Sequence, residues 1–182
     1  AKKPSGIIFS GGPKSVHVEG APAIDPQVYE LGIPILGICY GAQLIAQQLG
    51  GRVDRTGRGE YGRTPLTVRE RGTLFGGGVP DDQQVWMSHF DAIVEAPAGF
   101  TVTATTPDAP VAALEHAARG IYGVQFHPEV VHTPYGQQLL QNFLYDAAGC
   151  EPVWTMSSVI DTQVAAVRAQ VGSGRAICGL SG

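Results

Sequence analysis

Cysteine is scarce in the sequence, and its spacing excludes the usual cysteine-built sites. The three cysteines, Cys39, Cys150 and Cys178, are odd in number and far apart, which suits a reducing cytoplasm better than a disulfide framework. Neither a CxxC nor an HExxH pattern occurs, so a zinc site has little support. We therefore expect a cytoplasmic protein, and we predict no metal site in this chain.

The sequence is also poor in charge and has no long apolar run. Charged residues make up 15%, and 12 basic against 16 acidic side chains give a net charge of −4. Without a dense basic run, a nucleic-acid surface is not expected. No apolar stretch approaches the ~20 residues of a membrane span, so a membrane partner is not expected either. The 43% of hydrophobic residues is enough for a sizeable core.

One cysteine stands between two glycines, in the stretch GICYG at residues 37–41. A short apolar run, 35–38, predicts a buried strand before it, and 42–49 has the spacing of a helix after it. Glycine two residues to either side is the mark of a nucleophile elbow, here with Cys in the place of Ser. The turn would set the thiol at a helix N-terminus, where the helix dipole favours the thiolate. A lone Cys is more often a buried hydrophobe, so this hypothesis needs a partner base.

A base and an orienting group follow a later strand. Residues 120–126 predict a strand, and His127 comes directly after it, where sites lie in parallel α/β sheets. Pro128 keeps His127 out of the helical region, and Glu129 can bond the far imidazole nitrogen. His89 is the competing histidine, whose alternative role is to order a loop through hydrogen bonds.

The first predicted strand, residues 6–9, runs into a loop with paired glycines, Ser10-Gly11-Gly12-Pro13. Two interpretations stay open from the residues alone. Backbone N–H groups of such a loop can face a developing negative charge, which predicts an oxyanion site. Equally, the four residues can form a plain turn.

The remaining pattern predicts an α/β protein with a mixed, largely parallel central sheet flanked by helices. Short helices are expected at 26–31 and 136–146, and the glycine-rich stretch 52–63 is expected to be a mobile surface loop. Further strands are predicted at 64–70, 85–87, 93–96, 101–105 and 111–116. A boundary near Gly149 precedes a helix at 158–171 and a strand at 176–180, which we interpret as a fragment of a second α/β domain.

Three motifs resemble those of class I (triad) glutamine amidotransferases. They are SGGP at 10–13, GICYGAQ at 37–43 and GVQFHPE at 123–129, in the family's order and over nearly all of residues 6–145. Further stretches are similar to the GMP synthetase family: AQQLGG at 46–51, VWMSH at 85–89, HPEVVHT at 127–133 and GCEPVWT at 149–155. The terminal ICGLSG at 177–182 resembles the start of the SGGxDS loop of ATP pyrophosphatases.

The resemblance implies a flavodoxin-like amidotransferase domain over 1–148, lacking its first strand and helix, and the beginning of an ATP pyrophosphatase domain over 149–182. It implies roles for a set of residues: Cys39 as nucleophile, His127 as proton carrier, Glu129 as its orienting group, Gly11, Gly12 and Tyr40 at the oxyanion, and Gln43 with Ser88, His89 and Phe90 at the glutamine. Ser181 and Gly182 would begin an ATP-binding loop. Phe90 stands where the family usually has glycine, and phenylalanine does not adopt the φ range of glycine freely, so the effect of Phe90 on the glutamine-pocket backbone stays open.

The same resemblance implies the partners. Glutamine would be the substrate here, with no cofactor in the glutaminase domain. XMP, ATP and Mg²⁺ would belong to a synthetase domain beyond this chain, and the full-length protein would be a homodimer. Two alternatives remain: another triad amidotransferase or γ-glutamyl hydrolase, or a non-catalytic regulatory module of the same fold.

Overall fold

The computed structural model describes residues 3–152, 156–177 and 179. In this part the strands are β1 (Ile7–Phe9), β2 (Ile35–Ile38), β3 (Arg52–Val68), β4 (Asp82–Glu95), β5 (Thr101–Thr105), β6 (Ala113–His116) and β7 (Ile121–Val124). The α-helices are α1 (Tyr40–Gln48), α2 (Gly136–Gln141) and α3 (Met156–Val171). Two 3₁₀ turns, Pro26–Glu30 and Ala117–Arg119, and a π-helical turn, Asn142–Ala147, complete them. The chain divides into two compact units, one up to Cys150 and one from Glu151 onward.

The strands of the first unit form one mixed sheet in the order β1-β2-β7-β6-β5-β3-β4. The α/β class and the mixed sheet are confirmed, but the parallel part is smaller than predicted. Only β1, β2 and β7 run parallel, while β7-β6, β6-β5, β5-β3 and β3-β4 are antiparallel pairs. The reason lies in the connections, because parallel neighbours need a long crossover and the strands from β3 to β7 are joined mostly by short turns.

The stretch 52–63, predicted to be a mobile loop, is instead the first part of the 17-residue strand β3. It pairs with β4 from Arg52 opposite Glu95 to Thr67 opposite Asp82, with an irregularity between Arg55 and Glu60. The strands predicted at 85–87 and 93–96 are likewise one strand, β4. Alternate side chains of β4 are buried over most of its length, so one face has a period-two pattern that holds the glycine-rich partner in register.

The other predicted elements are close to those observed. Asp25 caps the turn at Pro26–Glu30, its carboxylate accepting from the Gln27 N–H at 2.9 Å. The helix predicted at 136–146 begins as α2 and continues as the π-helical turn. The strand predicted at 176–180 is absent at the described residues 176, 177 and 179, and its other two positions lie outside the described residues.

The second unit contains α3. Its predicted apolar positions include Ile160, Val164 and Val167, which are 57%, 40% and 52% exposed. Among the described residues, no helix has the length and apolar character needed to cross a membrane.

Candidate active site

The turn between β2 and α1 is the strained elbow that the glycine spacing predicted. Cys39 has φ 51° and ψ −105°, and it is the one non-glycine residue with positive φ in the described ranges. A Cβ on Gly37 would lie 2.6 Å from the Ala42 nitrogen, and a Cβ on Gly41 would overlap the Phe9 carbonyl oxygen. Strand and helix therefore approach so closely that only glycine fits at both positions.

Burial decides the protonation state of the nucleophile. Cys39 is 5% exposed, and loss of hydration raises the pKa of its thiol to about 11. The Tyr40 backbone N–H lowers that pKa but is outweighed, and the Glu129 carboxylate raises it further. Burial therefore opposes the thiolate that the helix N-terminus was expected to favour. The thiol faces the Ser88 carbonyl oxygen at 3.7 Å and donates to it, while the Gln125 amide nitrogen lies 3.9 Å from Sγ.

His127 and Glu129 form a close pair at the end of β7. The imidazole Nδ1 lies 2.7 Å from Glu129 Oε1, and a carboxylate there holds the proton on Nδ1, which leaves Nε2 as the basic nitrogen. The backbone is fixed as well, since the His127 N–H donates to the Trp86 carbonyl at 2.9 Å and its carbonyl accepts from the Thr133 hydroxyl at 2.7 Å.

Gly11 lies next to both the imidazole of His127 and the Cys39 side chain. A Cβ added to Gly11 would lie 3.2 Å from His127 Cε1 and 3.6 Å from Cys39 Cβ, so both side chains flank the same glycine. The neighbouring Gly12 lies against the Tyr40 ring, since a Cβ added there would meet Cγ at 3.5 Å, and the Tyr40 hydroxyl donates to the Pro22 carbonyl at 2.6 Å. The glycine loop is thus packed over the elbow.

An open cleft of about 340 Å³ lies beside the thiol. Its walls include Gly12, Cys39, Gln43, Ser88, His89 and Phe90, all of which the sequence assigned to the site. Four charged or aromatic wall residues were not predicted: Lys14, Arg55, Tyr61 and Asp91. Asp91 follows the VWMSH stretch by two residues and was within reach of motif reasoning. Arg55 and Tyr61 were not predicted as wall residues because their segment was interpreted as a loop.

The backbone at Phe90 has a conformation that a non-glycine residue can adopt. Its φ is not positive, so no glycine conformation is required there. The side chain is 45% exposed, and the Arg55 guanidinium carbon lies 5.2 Å from the ring centroid. This stacking gives the ring a role in holding the cation at the cleft wall.

The amide nitrogen of Gln43 and both ring nitrogens of His89 form hydrogen bonds with other groups of the protein. Gln43 Nε2 donates to the Asp91 carbonyl oxygen at 2.6 Å. The two His89 ring nitrogens lie 3.0 Å from the Asp91 carbonyl oxygen and 3.0 Å from Glu60 Oε2. With both nitrogens occupied, His89 has no free basic nitrogen for the thiol, which leaves His127 as the base.

No group of three or more His, Cys, Asp or Glu side chains that could hold a metal ion occurs among the described residues. The predicted ATP-loop residues, Ser181 and Gly182, lie outside the described ranges.

Comparison with known proteins identifies the family. The profile of the family described as "Glutamine amidotransferase class-I" matches residues 1–147. The chain belongs to this class I glutamine amidotransferase family. A protein of Thermoplasma acidophilum described as a GMP synthase protein shares the fold at a TM-score of 0.67 with 34% identity, over 88% of this chain and 76% of that one. A Thermotoga maritima glutamine amidotransferase, at 22% identity and a TM-score of 0.59 over 67% and 65% of the two chains, shows the fold alone.

The curated sequence relatives described next share one description within this family, glutamine-hydrolysing GMP synthase. The chain is 61% identical over its full 182 residues to the glutamine-hydrolysing GMP synthase of Thermobifida fusca, and it covers 34% of that protein. It is 58% identical, again over its full length, to the enzyme of the same description from Streptomyces avermitilis, covering 35% of it. The chain thus spans about a third of the curated relatives it matches.

Proposed function

We propose that this chain hydrolyses the side-chain amide of glutamine, as the ammonia-supplying part of a GMP synthase. The observation that carries the proposal is the juxtaposition at Gly11, where a strained, buried Cys39 and the Glu129-paired imidazole of His127 flank one glycine. A thiol, a base and a carboxylate that orients the base are the parts that nucleophilic acyl transfer requires.

The chemistry follows from the protonation states. His127 Nε2 takes the thiol proton as Cys39 Sγ attacks the amide carbon, which forms a tetrahedral oxyanion and an imidazolium stabilised by Glu129. The C–N bond then breaks, the imidazolium gives its proton to the nitrogen, and ammonia leaves behind a glutamyl thioester. Water, activated by the same imidazole, attacks the thioester, and glutamate departs with the thiol restored. The raised thiol pKa makes proton removal by His127 part of the attack rather than a step before it.

The oxyanion would be held by backbone N–H groups of the glycine loop, Gly11 and Gly12, together with that of Tyr40. Support comes from the packing of Gly12 on Tyr40 and from the influence of the Tyr40 N–H on the thiol, which places that donor beside Sγ. Loss of one such donor costs about 3–4 kcal/mol of transition-state stabilisation.

The cleft has the charges that a free α-amino acid requires. Lys14 and Arg55 supply positive charge for an α-carboxylate, and the carboxylate of Asp91, 3.7 Å from the Arg55 Nε, supplies negative charge for an α-ammonium group. Gln43 and the Ser88–Phe90 backbone complete the walls. A zwitterionic substrate is therefore favoured over a peptide-bound glutamine, which lacks both terminal charges.

The ammonia would be used outside this chain. By its 61% and 58% identity to glutamine-hydrolysing GMP synthases, we assign the chain to a cytoplasmic enzyme in which XMP is adenylated by ATP with Mg²⁺ and aminated to GMP, releasing AMP and pyrophosphate. In this proposal, the synthetase part and homodimer formation lie in portions of the full-length protein that this chain does not cover.

A diazoketone analogue of glutamine tests the assignment, since it reacts only with a nucleophile that binds the amino acid. Peptide mapping should find the label on Cys39 and not on Cys150 or Cys178. Glutamine should protect Cys39 at concentrations where asparagine, one methylene shorter, does not. Equal labelling of the three cysteines, or no protection by glutamine, would count against the proposal.

A further inference from the structure

A buried pair of titratable side chains, His89 and Glu60, extends from the wall of the cleft into the protein, and the glutaminase mechanism leaves it without a role. The His89 and Glu60 side chains are 1% and 4% exposed, and His89 Nε2 lies 3.0 Å from Glu60 Oε2. The same carboxylate accepts from the Thr106 hydroxyl at 2.9 Å and faces the Asp108 N–H at 3.4 Å. One histidine thus joins β4 to β3 and to the turn between β5 and β6.

Hydrogen-bond complementarity fixes the protons of this pair. The Asp91 carbonyl can only accept, so His89 Nδ1 must carry a hydrogen. Glu60 already accepts from a hydroxyl and an amide, and a bare Nε2 would place two lone-pair centres face to face at 3.0 Å. Although burial pushes the pKa of Glu60 up, the bonds from His89, Thr106 and Asp108 hold it below its ordinary value. Both ring nitrogens of His89 are therefore protonated.

The pair connects to the nucleophile through the Asp91 carbonyl. That oxygen accepts from His89 Nδ1 and from Gln43 Nε2, the latter on the first turn of α1 after Cys39. Gln43 Nε2 also lies 3.4 Å from Gln125 Oε1, and Gln125 Nε2 reaches Sγ at 3.9 Å. A continuous series of hydrogen bonds thus runs from Glu60 to the Cys39 thiol. It passes through the backbone carbonyl of Asp91, which is a residue of the cleft wall.

We propose that His89, held as an imidazolium by Glu60, is a positioning residue that fixes the Asp91 backbone and thereby the glutamine-binding wall of the cleft. This inference rests on the proposed glutaminase function. His89 acts through Asp91 and does not touch the reacting atoms, so its loss changes glutamine binding much more than the reactivity of Cys39.

Two substitutions, each introducing a side-chain amide, distinguish the roles of the two ring nitrogens of His89. His89→Asn keeps a donor near the Nδ1 position and retains the bond to the Asp91 carbonyl, but it loses the hydrogen bond to the Glu60 carboxylate. His89→Gln keeps a donor near the Nε2 position and retains the hydrogen bond to Glu60, but it loses the hydrogen bond to the Asp91 carbonyl. The control is His116→Ala, because His116 packs on the Phe100 ring and does not line the cleft.

The assay measures ammonia release from glutamine by the longest natural polypeptide that carries this chain. We expect H89Q to raise KM about tenfold and H89N about twofold, with kcat within about threefold of wild type, since one lost hydrogen bond is worth about a factor of ten in affinity. Iodoacetamide should alkylate Cys39 at similar rates in all forms. Equal KM values for H89N and H89Q would overturn the inference and leave glutaminase function standing. A wild type that neither releases ammonia nor takes the diazoketone label would overturn both.

A second measurement does not require the histidine variants to fold. The ¹⁵N shifts of His89 should show two protonated ring nitrogens at pH 7 in wild type and one, Nδ1, in Glu60→Gln, whose amide can donate to Nε2. The glutamine KM of E60Q should stay within about threefold of wild type, because the bond from His89 Nδ1 to the Asp91 carbonyl is kept. A singly protonated His89 in wild type would overturn the inference.

Discussion

Burial of Cys39 favours the protonated thiol over the thiolate in the absence of substrate. The thiol is 5% exposed, its pKa is raised to about 11, and its hydrogen faces the Ser88 carbonyl oxygen at 3.7 Å. A protonated thiol is a poor nucleophile, so under the proposed function His127 removes its proton as the thiol attacks glutamine.

The thiol pKa gives a pH prediction. Without substrate, the rate of iodoacetamide alkylation of Cys39 should keep rising up to about pH 11, because the reactive thiolate forms only near that pKa. The same residue in the denatured chain, with a thiol pKa of about 8.5, should reach its maximum rate two to three pH units lower, at roughly pH 9. Coincident profiles for the folded and denatured chain would contradict a buried, protonated nucleophile. Mass spectrometry of the Cys39 peptide supplies the rates.

Local sequence predicted some of these residues and could not predict others. The elbow and the His127–Glu129 pair depend on spacings of two residues, which the sequence shows directly. The thiol protonation state depends on burial by the whole sheet. The His89–Glu60 pair joins residues 29 apart through strand pairing, and no local pattern contains that register.

At the scale of elements, the β2–α1 unit is held by close backbone contact. The Cys39 N–H donates to the Val124 carbonyl at 2.8 Å, which ties the elbow to β7, while Gly41 lies against the end of β1. The positive φ of Cys39 is maintained by this packing, since a non-glycine residue adopts it only where its surroundings enforce it.

Substitution at the elbow should therefore damage folding as well as chemistry. We expect Gly41→Ala to lower the free energy of unfolding by about 3 kcal/mol or more, because its methyl group would overlap the Phe9 backbone. The matched control is Gly76→Ala, whose methyl group would meet its nearest atom at 3.4 Å and whose φ is not positive. Denaturant unfolding compares the two, and equal stabilities would show that β1 does not pack as described.

The β3–β4 pair shows why the first part of β3 could not be predicted from its local sequence. Between residues 52 and 63, glycines and arginines give a composition typical of a loop, and the strand is held instead by its antiparallel partner β4. That partner also carries Ser88, His89 and Asp91, so the mispredicted segment is the support of the cleft wall. Tertiary pairing outweighed local composition here.

At the scale of the whole molecule, the chain has the thiol, imidazole and carboxylate that the proposed ammonia release requires, and it spans about a third of the length of the GMP synthases it resembles. Under the proposed function, the ammonia formed at Cys39 is consumed elsewhere in the full polypeptide. The two half-reactions should then be separable, because a synthetase site supplied with ammonia does not need the thiol.

The most direct test is Cys39→Ala in the longest natural polypeptide that carries this chain. Glutamine-dependent conversion of XMP to GMP should fall by at least about 10³-fold, since the covalent route is removed. Conversion supported by added ammonium chloride should stay within about twofold of wild type, measured side by side from GMP formation. Glutamine-dependent conversion that survives the substitution, or loss of both activities together, would contradict an independent glutaminase site at Cys39.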